Sequence, residues 1–139
     1  MATGTIHKDR VRVALFFKRK EGLTLEEFYH HWFEGLSKML LSSPIFVENV
    51  LKYEQLRIDS EAAAALKAVG FEPPEQQWDG MALLEAESFE KIFAIFQSEE
   101  YMTTIGPYED QFLQRKAAQI FPLKFAVFLD KTESNKPIP

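Results

Sequence analysis

Apolar positions that alternate along short segments predict four strands in this chain. Residues 11–17 combine β-branched and aromatic types and place apolar side chains on one whole face, which is typical of a half-buried strand. Residues 51–58 alternate loosely, while residues 80–86 and 123–129 are short apolar runs between turn residues and charges. We therefore expect a strand at each of these four places.

An apolar period of three and four residues predicts a long helix between the first two strands. Thr24 and Glu27 have the spacing of a capping box at its start, and Pro44 marks its end. The predicted core-facing stripe contains Leu25, Phe28, Tyr29, Trp32, Leu36, Met39 and Leu40. The predicted far side of this helix contains His30, Glu34, Ser37 and Leu41.

Shorter helices are predicted in the second half of the chain. Residues 60–69 favour a short, exposed helix that Ser60 caps and Gly70 ends. Ser88 is expected to cap the second main helix, whose apolar residues recur at helical spacing over residues 89–96.

A Gly-Pro pair interrupts the sequence after this second helix. We expect residues 99–104 to extend it as a second piece and Gly106-Pro107 to break it. Residues 109–119 then have the pattern of a brief additional helix. The last nine residues, 131–139, form a polar tail without core residues.

The resulting order of elements, βαββαβ, predicts an α+β sandwich of the ferredoxin-like type, with two helices on one face of a four-stranded antiparallel sheet. We expect a single domain over residues 11–130, an N-terminal arm over 1–10 and a tail over 131–139. The first and last predicted strands also carry apolar residues on the opposite face. Because that face also needs a cover, the sequence predicts a homodimer whose sheets face each other.

The composition of the chain limits the classes of molecule that we expect this protein to bind. The chain has 139 residues, a formal net charge of -5 and no cysteine. A negative protein repels phosphate backbones and anionic lipid, so we expect no nucleic-acid partner. No apolar run approaches the ~18–20 residues that span a bilayer, so we expect no membrane partner and a cytoplasmic location. The aromatic content of 14% predicts either an aromatic core or a pocket for a flat apolar ligand.

Several segments in this order resemble the EthD family of dimeric α+β barrel proteins, and more narrowly its fungal members encoded beside polyketide synthases. They are residues 16–28 (FFKRKEGLTLEEF) with Trp32, residues 51–55 (LKYEQ), Asp79-Gly80, residues 85–93 (EAESFEKIF) and residues 96–101 (FQSEEY). The resemblance implies decarboxylation, dehydration or cyclisation of an aromatic polyketide intermediate without a metal or organic cofactor. It also implies a ligand pocket inside the protomer, between the sheet and its helices.

Two positions depart from the pattern of this family. Members commonly carry a histidine four residues after the helix tryptophan, whereas this chain has Leu36 after Trp32. Many fungal members carry Pro-Asp-Glu after the second helix, and here Tyr108 stands in the place of the acid. Position 36 lies near Trp32 on the apolar stripe, so Leu36 is expected to point at the sheet.

Other residues are therefore candidates for the chemistry. Tyr53 shares a strand face with Gln55, so a phenol and an amide are expected to reach one ligand. His31 lies at the edge of the stripe, where Gly35 leaves room, and Tyr108 approaches from a loop. We predict Tyr53, Tyr108 and His31 as catalytic residues, although each residue type also has ordinary structural roles. The predicted substrate-binding residues are Tyr29, Trp32, Leu36, Gln55 and Phe93.

Three functions fit these residues. The first is a cofactor-independent lyase, a decarboxylase or dehydratase, acting on an aromatic polyketide. The second is a cyclase that orients a reactive substrate in an apolar pocket without a histidine base, an alternative that Leu36 and Tyr108 favour. The third is a non-catalytic protein that binds an aromatic metabolite. No metal ligands are predicted.

Overall fold

The computed structural model describes residues 4–72 and 78–132. Its strands are β1 (Val11–Phe17), β2 (Lys52–Leu56), β3 (Gly80–Ala86) and β4 (Gln119–Leu123). They form one antiparallel sheet in the order β2-β3-β1-β4. Helices follow β1 and β3, which confirms the predicted ferredoxin-like α+β fold.

The first helix is a continuous rod over residues 25–41, and its middle is a π-helix. It consists of α1 (Leu25–Tyr29), a π-helical segment (His30–Leu36) and α2 (Ser37–Leu41), and α3 (Pro44–Asn49) follows it. The predicted capping box is confirmed, since Thr24 Oγ1 accepts from the Glu27 amide at 3.1 Å and Glu27 Oε1 accepts from the Thr24 amide at 2.9 Å.

The π-helical segment changes which side chains face inward. Ser37, predicted on the far side, turns toward the sheet and donates to the Trp32 carbonyl at 3.3 Å. A π-helix has a wider turn than the regular 3.6-residue period, so residues beyond it shift around the rod.

Leu25, predicted on the core-facing stripe, is 39% exposed in the first turn. Trp32, Leu36 and other stripe residues are buried as predicted.

The helix between β2 and β3 is short and exposed, as predicted. It comprises α4 (Ser60–Ala65) and a 3₁₀ turn (Leu66–Val69). The predicted cap is wrong by one residue, because Asp59, not Ser60, accepts from the Ala62 amide at 3.0 Å. Gly70 ends the segment with a φ of +97°, a conformation that glycine adopts without a steric penalty.

The chain stays helical where a break was predicted. Ser88 caps α5 (Phe89–Phe96) as expected, and a π-helical segment (Tyr101–Ile105) then runs directly into α6 (Gly106–Glu109). Pro107 lies in the first turn of α6, and the helical backbone continues through it. The additional helix predicted over residues 109–119 is wrong, since α6 ends at Glu109 and only a 3₁₀ turn (Arg115–Ala117) follows.

The fourth strand begins four residues earlier than predicted. It covers Gln119–Leu123 and contains Pro122, which an edge strand tolerates because its amide side faces away from the sheet. The apolar residues over 124–129 pair with the N-terminal arm instead. There the His7 amide donates to the Phe125 carbonyl at 2.9 Å, and Ile6 forms a bridge with Ala126.

The core lies between the helices and one face of the sheet. The strands contribute Val13, Leu15, Phe17, Ala82, Leu84 and Ala86 to it. The helices contribute Phe28, Trp32, Leu36, Leu40, Phe46, Ile92, Ile95 and Ile105. The opposite face of the sheet carries no helix in the part of the chain described. Within that part, no helix is both long enough and apolar enough to cross a membrane.

Candidate functional site

A cleft between the sheet and the helices has a narrow inner part and a wide outer part. The inner part, which we call the neck, is a cavity of about 40 Å³. The outer part, which we call the mouth, is a cavity of about 600 Å³ that opens beside β4 and α6. The neck and the mouth share a lining of Leu15, Phe17, Phe96, Tyr101 and Glu109. They therefore form one continuous site.

Leu36 and Trp32 form the helix-side wall of the neck. Both side chains are buried, and Leu36 is only 3% exposed. The edge of the Trp32 ring lies close against β3, where a Cβ on Gly80 would come within 2.9 Å of Cη2. The structure thus points Leu36 inward, as its spacing from Trp32 predicts. The wall of the neck therefore carries the hydrocarbon side chain of Leu36 at the position where the resemblance described above leads one to expect a histidine.

Tyr53 and Gln55 lie on one face of β2, as the period of a strand predicts, and they are linked to the helix rod. Gln55 Nε2 contacts the Tyr53 hydroxyl at 2.7 Å, the Trp32 carbonyl at 2.9 Å and Ser37 Oγ at 3.0 Å. Burial raises the pKa of the Tyr53 phenol above its ordinary value. Tyr53 therefore lines the neck as a protonated hydrogen-bonding group.

A buried carboxyl group that the sequence analysis passed over stands where the neck meets the mouth. Glu109 ends α6 and is 8% exposed. The Tyr101 hydroxyl donates a hydrogen bond to Glu109 Oε1, and Arg115 Nε lies 3.7 Å from the same oxygen. Burial raises the pKa of Glu109, and the hydrogen bond from Tyr101 and the charge of Arg115 offset this only in part.

The sequence did contain a pattern that marks Glu109. Ile105, Phe112 and Leu113 lie four residues before it, three after it and four after it, and all three are buried. An acid among apolar residues at these helical spacings is expected to face the core. Glu109 directly follows Tyr108, and it corresponds to the last residue of the Pro-Asp-Glu pattern with which residues 107–109 were compared.

His31 and Tyr108 come together, but outside the cleft. His31 Nδ1 lies 3.0 Å from the Tyr108 hydroxyl, and the His31 ring stacks on Phe112 with the ring centres 5.6 Å apart. The room that Gly35 leaves is filled by Tyr108, since a Cβ there would come within 1.9 Å of the hydroxyl oxygen. The contact between His31 and Tyr108 joins α6 to the helix rod, one residue before Glu109.

Two predicted substrate-binding residues also lie away from the neck and the mouth. Tyr29 is half-buried, and the Arg57 guanidinium lies 4.1 Å from the centre of its ring. Phe93 is 42% exposed on the outer side of α5 and stacks on Phe89. The structure therefore brings Trp32, Leu36 and Tyr53 together at the neck, with Gln55 behind Tyr53.

The cleft combines an apolar interior with a charged rim, on which an acid accompanies two basic residues. Arg115 and Lys116 line the mouth, where Asp110 Oδ2 accepts from Arg115 at 3.1 Å. Such an arrangement suits an apolar molecule whose anionic group lies at the rim. Glu109 would then be the proton donor. Over residues 4–72 and 78–132, no three His, Asp or Glu side chains are grouped in a way that would hold a metal ion.

Comparison with known families identifies one match. The sequence model of the EthD domain matches residues 20–116 of this chain. The matched segment begins three residues after β1 and ends in the 3₁₀ turn before β4, and it includes all the residues of the neck that lie on the helices. No protein with a curated description matches the chain.

Solved structures with the same fold come from several bacteria. An EthD family protein from Bacillus halodurans has a TM-score of 0.55 at 15% identity, with 81% of this chain and 95% of that chain covered. A dimeric ferredoxin-like protein of unknown function from Bacteroides fragilis has a TM-score of 0.54 at 10% identity, with 88% and 100% covered. A DABB family protein from Mesorhizobium loti has a TM-score of 0.53 at 13% identity, with 85% and 96% covered.

The buried carboxyl group makes the stability of the protein depend on pH. Because the pKa of Glu109 is higher in the folded than in the unfolded chain, the free energy of unfolding falls as pH rises from the ordinary glutamate pKa through the raised one. Each unit of that shift corresponds to about 1.4 kcal/mol. We expect Glu109→Gln to remove this fall, as measured by urea unfolding between pH 4 and pH 8.

The matched control for this measurement is Glu99→Gln. Glu99 is exposed, so this variant should keep the wild-type dependence of stability on pH. A wild-type slope that persists unchanged in Glu109→Gln would show that Glu109 is not the buried titrating group.

Proposed function

Because the chain belongs to the EthD domain family, we propose that it is a cofactor-independent enzyme acting on an aromatic polyketide-like small molecule. We assign it to the lyases, as a decarboxylase or dehydratase. The resemblance to fungal members of the family implies that it acts in secondary metabolism. The observation that carries this proposal is the buried Glu109 carboxyl in an otherwise apolar cleft. Burial raises the pKa of this carboxyl, so it keeps its proton to a higher pH than an exposed glutamate does, which suits a general acid.

The dimensions of the cleft fit a ring system in the mouth and a small group in the neck. The mouth, at about 600 Å³, is within the range of small-molecule sites, and Phe17, Phe96 and Ile120 give it apolar walls. The neck, at about 40 Å³, has room for little more than a water molecule or a methyl group. The substrate would therefore enter from the mouth, with any carboxylate near Arg115 and Lys116.

Glu109 would supply the proton in either lyase reaction. In decarboxylation of a β-keto acid, the bond to the carboxylate carbon breaks, carbon dioxide leaves and the electron pair remains as an enolate. Protonated Glu109 then gives its proton to the enolate carbon, and solvent restores it. In dehydration, the same acid protonates a hydroxyl group that leaves as water. Tyr101, which donates to Glu109, is a positioning residue in this scheme.

Tyr53 would act on the substrate oxygen. Its phenol lines the neck together with Glu109, and its raised pKa keeps it protonated at neutral pH. A phenol hydrogen bond to a carbonyl oxygen stabilises the negative charge that develops there as an enolate forms. His31 and Tyr108 would serve as positioning residues, because their hydrogen bond fixes α6 beside Glu109.

The hydrocarbon side chain of Leu36 favours a second candidate function. Without an imidazole on the helix wall, the neck orients a reactive substrate mainly by its shape, as a cyclase does. Such an enzyme would direct ring closure without proton transfer by Glu109. A protein that binds an aromatic metabolite without turnover is the third possibility, and the same apolar cleft would serve it.

We also propose that the protein is a homodimer in which the open faces of two sheets meet. On this face Phe16 contacts Trp78 and Phe121, with ring centres 5.6 and 5.4 Å apart. Leu83 lies beside Ala14 in the middle of the same face. A second copy would cover this apolar surface, which single chains rarely leave exposed. The related structure from Bacteroides fragilis is described as dimeric.

Glu109→Gln tests the lyase proposal. With an aromatic β-keto acid as substrate, and the uncatalysed rate subtracted, we expect this variant to lose about 10²- to 10⁴-fold in the rate of carbon dioxide release. Glu99→Gln should keep the wild-type rate. Wild-type activity in Glu109→Gln would contradict the acid role. If the wild type and Glu109→Gln change the ratio of cyclised products equally, the result supports the cyclase. If the protein binds the substrate stoichiometrically without turnover, the result supports a binding protein.

Leu83→Glu tests the dimer. Light scattering after gel filtration should give twice the chain mass of 16.1 kDa for the wild type. A charge in the centre of the apolar face should shift Leu83→Glu to the monomer mass with its circular dichroism spectrum retained. Met102→Glu, at a residue exposed on a helix, should remain dimeric. A wild-type protein of monomer mass would overturn this part of the proposal.

A further inference from the structure

The side chain of Arg115 lies where the mouth meets the buried carboxyl group. Its Nε atom is 3.7 Å from Glu109 Oε1, and its Nη1 atom donates to Asp110 Oδ2 at 3.1 Å. The guanidinium carbon lies 5.5 Å from the centre of the Tyr101 ring. Gly106 leaves room for this side chain, because a Cβ there would come within 3.0 Å of Arg115 Nη2. One guanidinium is therefore shared between two acids.

The two acids differ in their access to solvent. The Asp110 side chain is 58% exposed and that of Arg115 is 39% exposed, whereas Glu109 is buried. Water screens the charges of an exposed ion pair, so such a pair is weak. An anion that enters the mouth can therefore replace Asp110 at Arg115. Lys116, which is exposed and also lines the mouth, adds a second positive charge there.

The polar groups that act on Glu109 come from few elements. Tyr101 of the π-helical segment donates to it, and Asp110 follows it in the chain. Tyr53 of β2 lines the same neck, and the charge of Glu109 contributes to its raised pKa. The strands β1 and β3 and the helix α5 contribute apolar side chains to the neck. Among the residues that the structure describes, Arg115 is the cation paired with Glu109, and its charge opposes the rise in the pKa of Glu109 that burial causes.

We propose that an anionic group bound at Arg115 and Lys116 makes the Glu109 carboxylate take up one proton from solvent. This inference rests on the proposed function, in which a carboxylate of the substrate lies at these two residues. The negative charge of the bound group offsets that of Arg115, so Glu109 loses an interaction that favours its ionised form. Arg115 is thus a specificity-determining residue, because a neutral molecule of the same shape does not supply this charge.

Thermodynamic linkage gives this coupling a second signature. If a bound anion raises the pKa of Glu109, protonation of Glu109 must strengthen the binding of that anion by the same factor. The affinity for an anion that does not itself titrate should therefore be higher at a pH below the Glu109 titration than above it. Coupling between two sites typically changes affinity by about fivefold or more.

The test uses 1-naphthalenesulfonate, an aromatic anion that stays ionised throughout, and 1-naphthalenesulfonamide, a neutral molecule of nearly the same shape. The side-chain carboxyl resonance of Glu109 is followed by ¹³C NMR during pH titrations of the full-length protein with and without each probe. We expect the sulfonate to move the Glu109 titration to higher pH and the sulfonamide to move it clearly less.

Calorimetry measures the reciprocal effect on binding. The wild type should bind the sulfonate at least about fivefold more tightly on the acid side of the Glu109 titration than on its alkaline side. This difference should be absent in Glu109→Gln, which does not titrate.

Arg115→Gln removes the charge from a half-exposed side chain. We expect Glu109 in this variant to titrate at a higher pH than in the wild type without any probe, and the sulfonate to bind at least about fivefold more weakly. The matched control is Lys67→Gln, at an exposed residue that lines neither the neck nor the mouth. It should keep the wild-type titration of Glu109 and the wild-type affinity.

A Glu109 titration that the sulfonate leaves unchanged or moves to lower pH would overturn the proposal, and so would an equal movement by the sulfonamide. Wild-type titration of Glu109 in Arg115→Gln would also overturn it. The outcome for the lyase is separate. A wild type that releases no carbon dioxide but shows the sulfonate-linked titration would contradict the lyase alone, and carbon dioxide release without that linkage would contradict the coupling alone.

Discussion

The burial of one carboxyl group at the junction of the neck and the mouth is the constraint on which this site depends. Glu109 lies at the end of α6, where its charge is removed from water and its pKa is raised. Neighbouring polar groups offset part of the free energy that removing this carboxyl group from water costs. Tyr101 donates to the carboxyl, and the Arg115 guanidinium lies within 4 Å of it. The helix continues through Gly106-Pro107, and this continuity is what carries Glu109 into the core.

The opposite wall of the neck depends on the π-helical segment. Its wide turn leaves the Trp32 carbonyl available to Gln55 on β2 and to Ser37 on the rod. This network ties the rod to the edge of the sheet and holds Tyr53 at the neck. Leu36 points inward from the same segment, as its spacing from Trp32 predicts, so the helix-side wall of the neck is hydrocarbon. This irregular helix thus shapes the helix-side wall of the neck.

The parts of the fold that local patterns determine could be predicted from the sequence. The apolar face of β1 and the capping box at Thr24 are confirmed, and the strand period placed Tyr53 and Gln55 on one face. The errors arose where tertiary contacts override local patterns. Ser37 faces inward because the wider turn of the π-helical segment before it shifts it around the rod, and Pro122 lies in a strand because that strand is at the edge. Glu109 is different, because the buried residues Ile105, Phe112 and Leu113 at helical spacing around it do mark it as facing the core.

The most direct measurement of the central claim is the titration of Glu109 itself. ¹³C NMR of the side-chain carboxyl carbon, assigned with Glu109→Gln, reports its protonation in the folded protein, and exposed Glu99 serves as the internal reference. The account predicts that the Glu109 resonance titrates at a clearly higher pH than that of Glu99, since burial disfavours the charged form. A Glu109 resonance that titrates with Glu99 or below it would contradict the account.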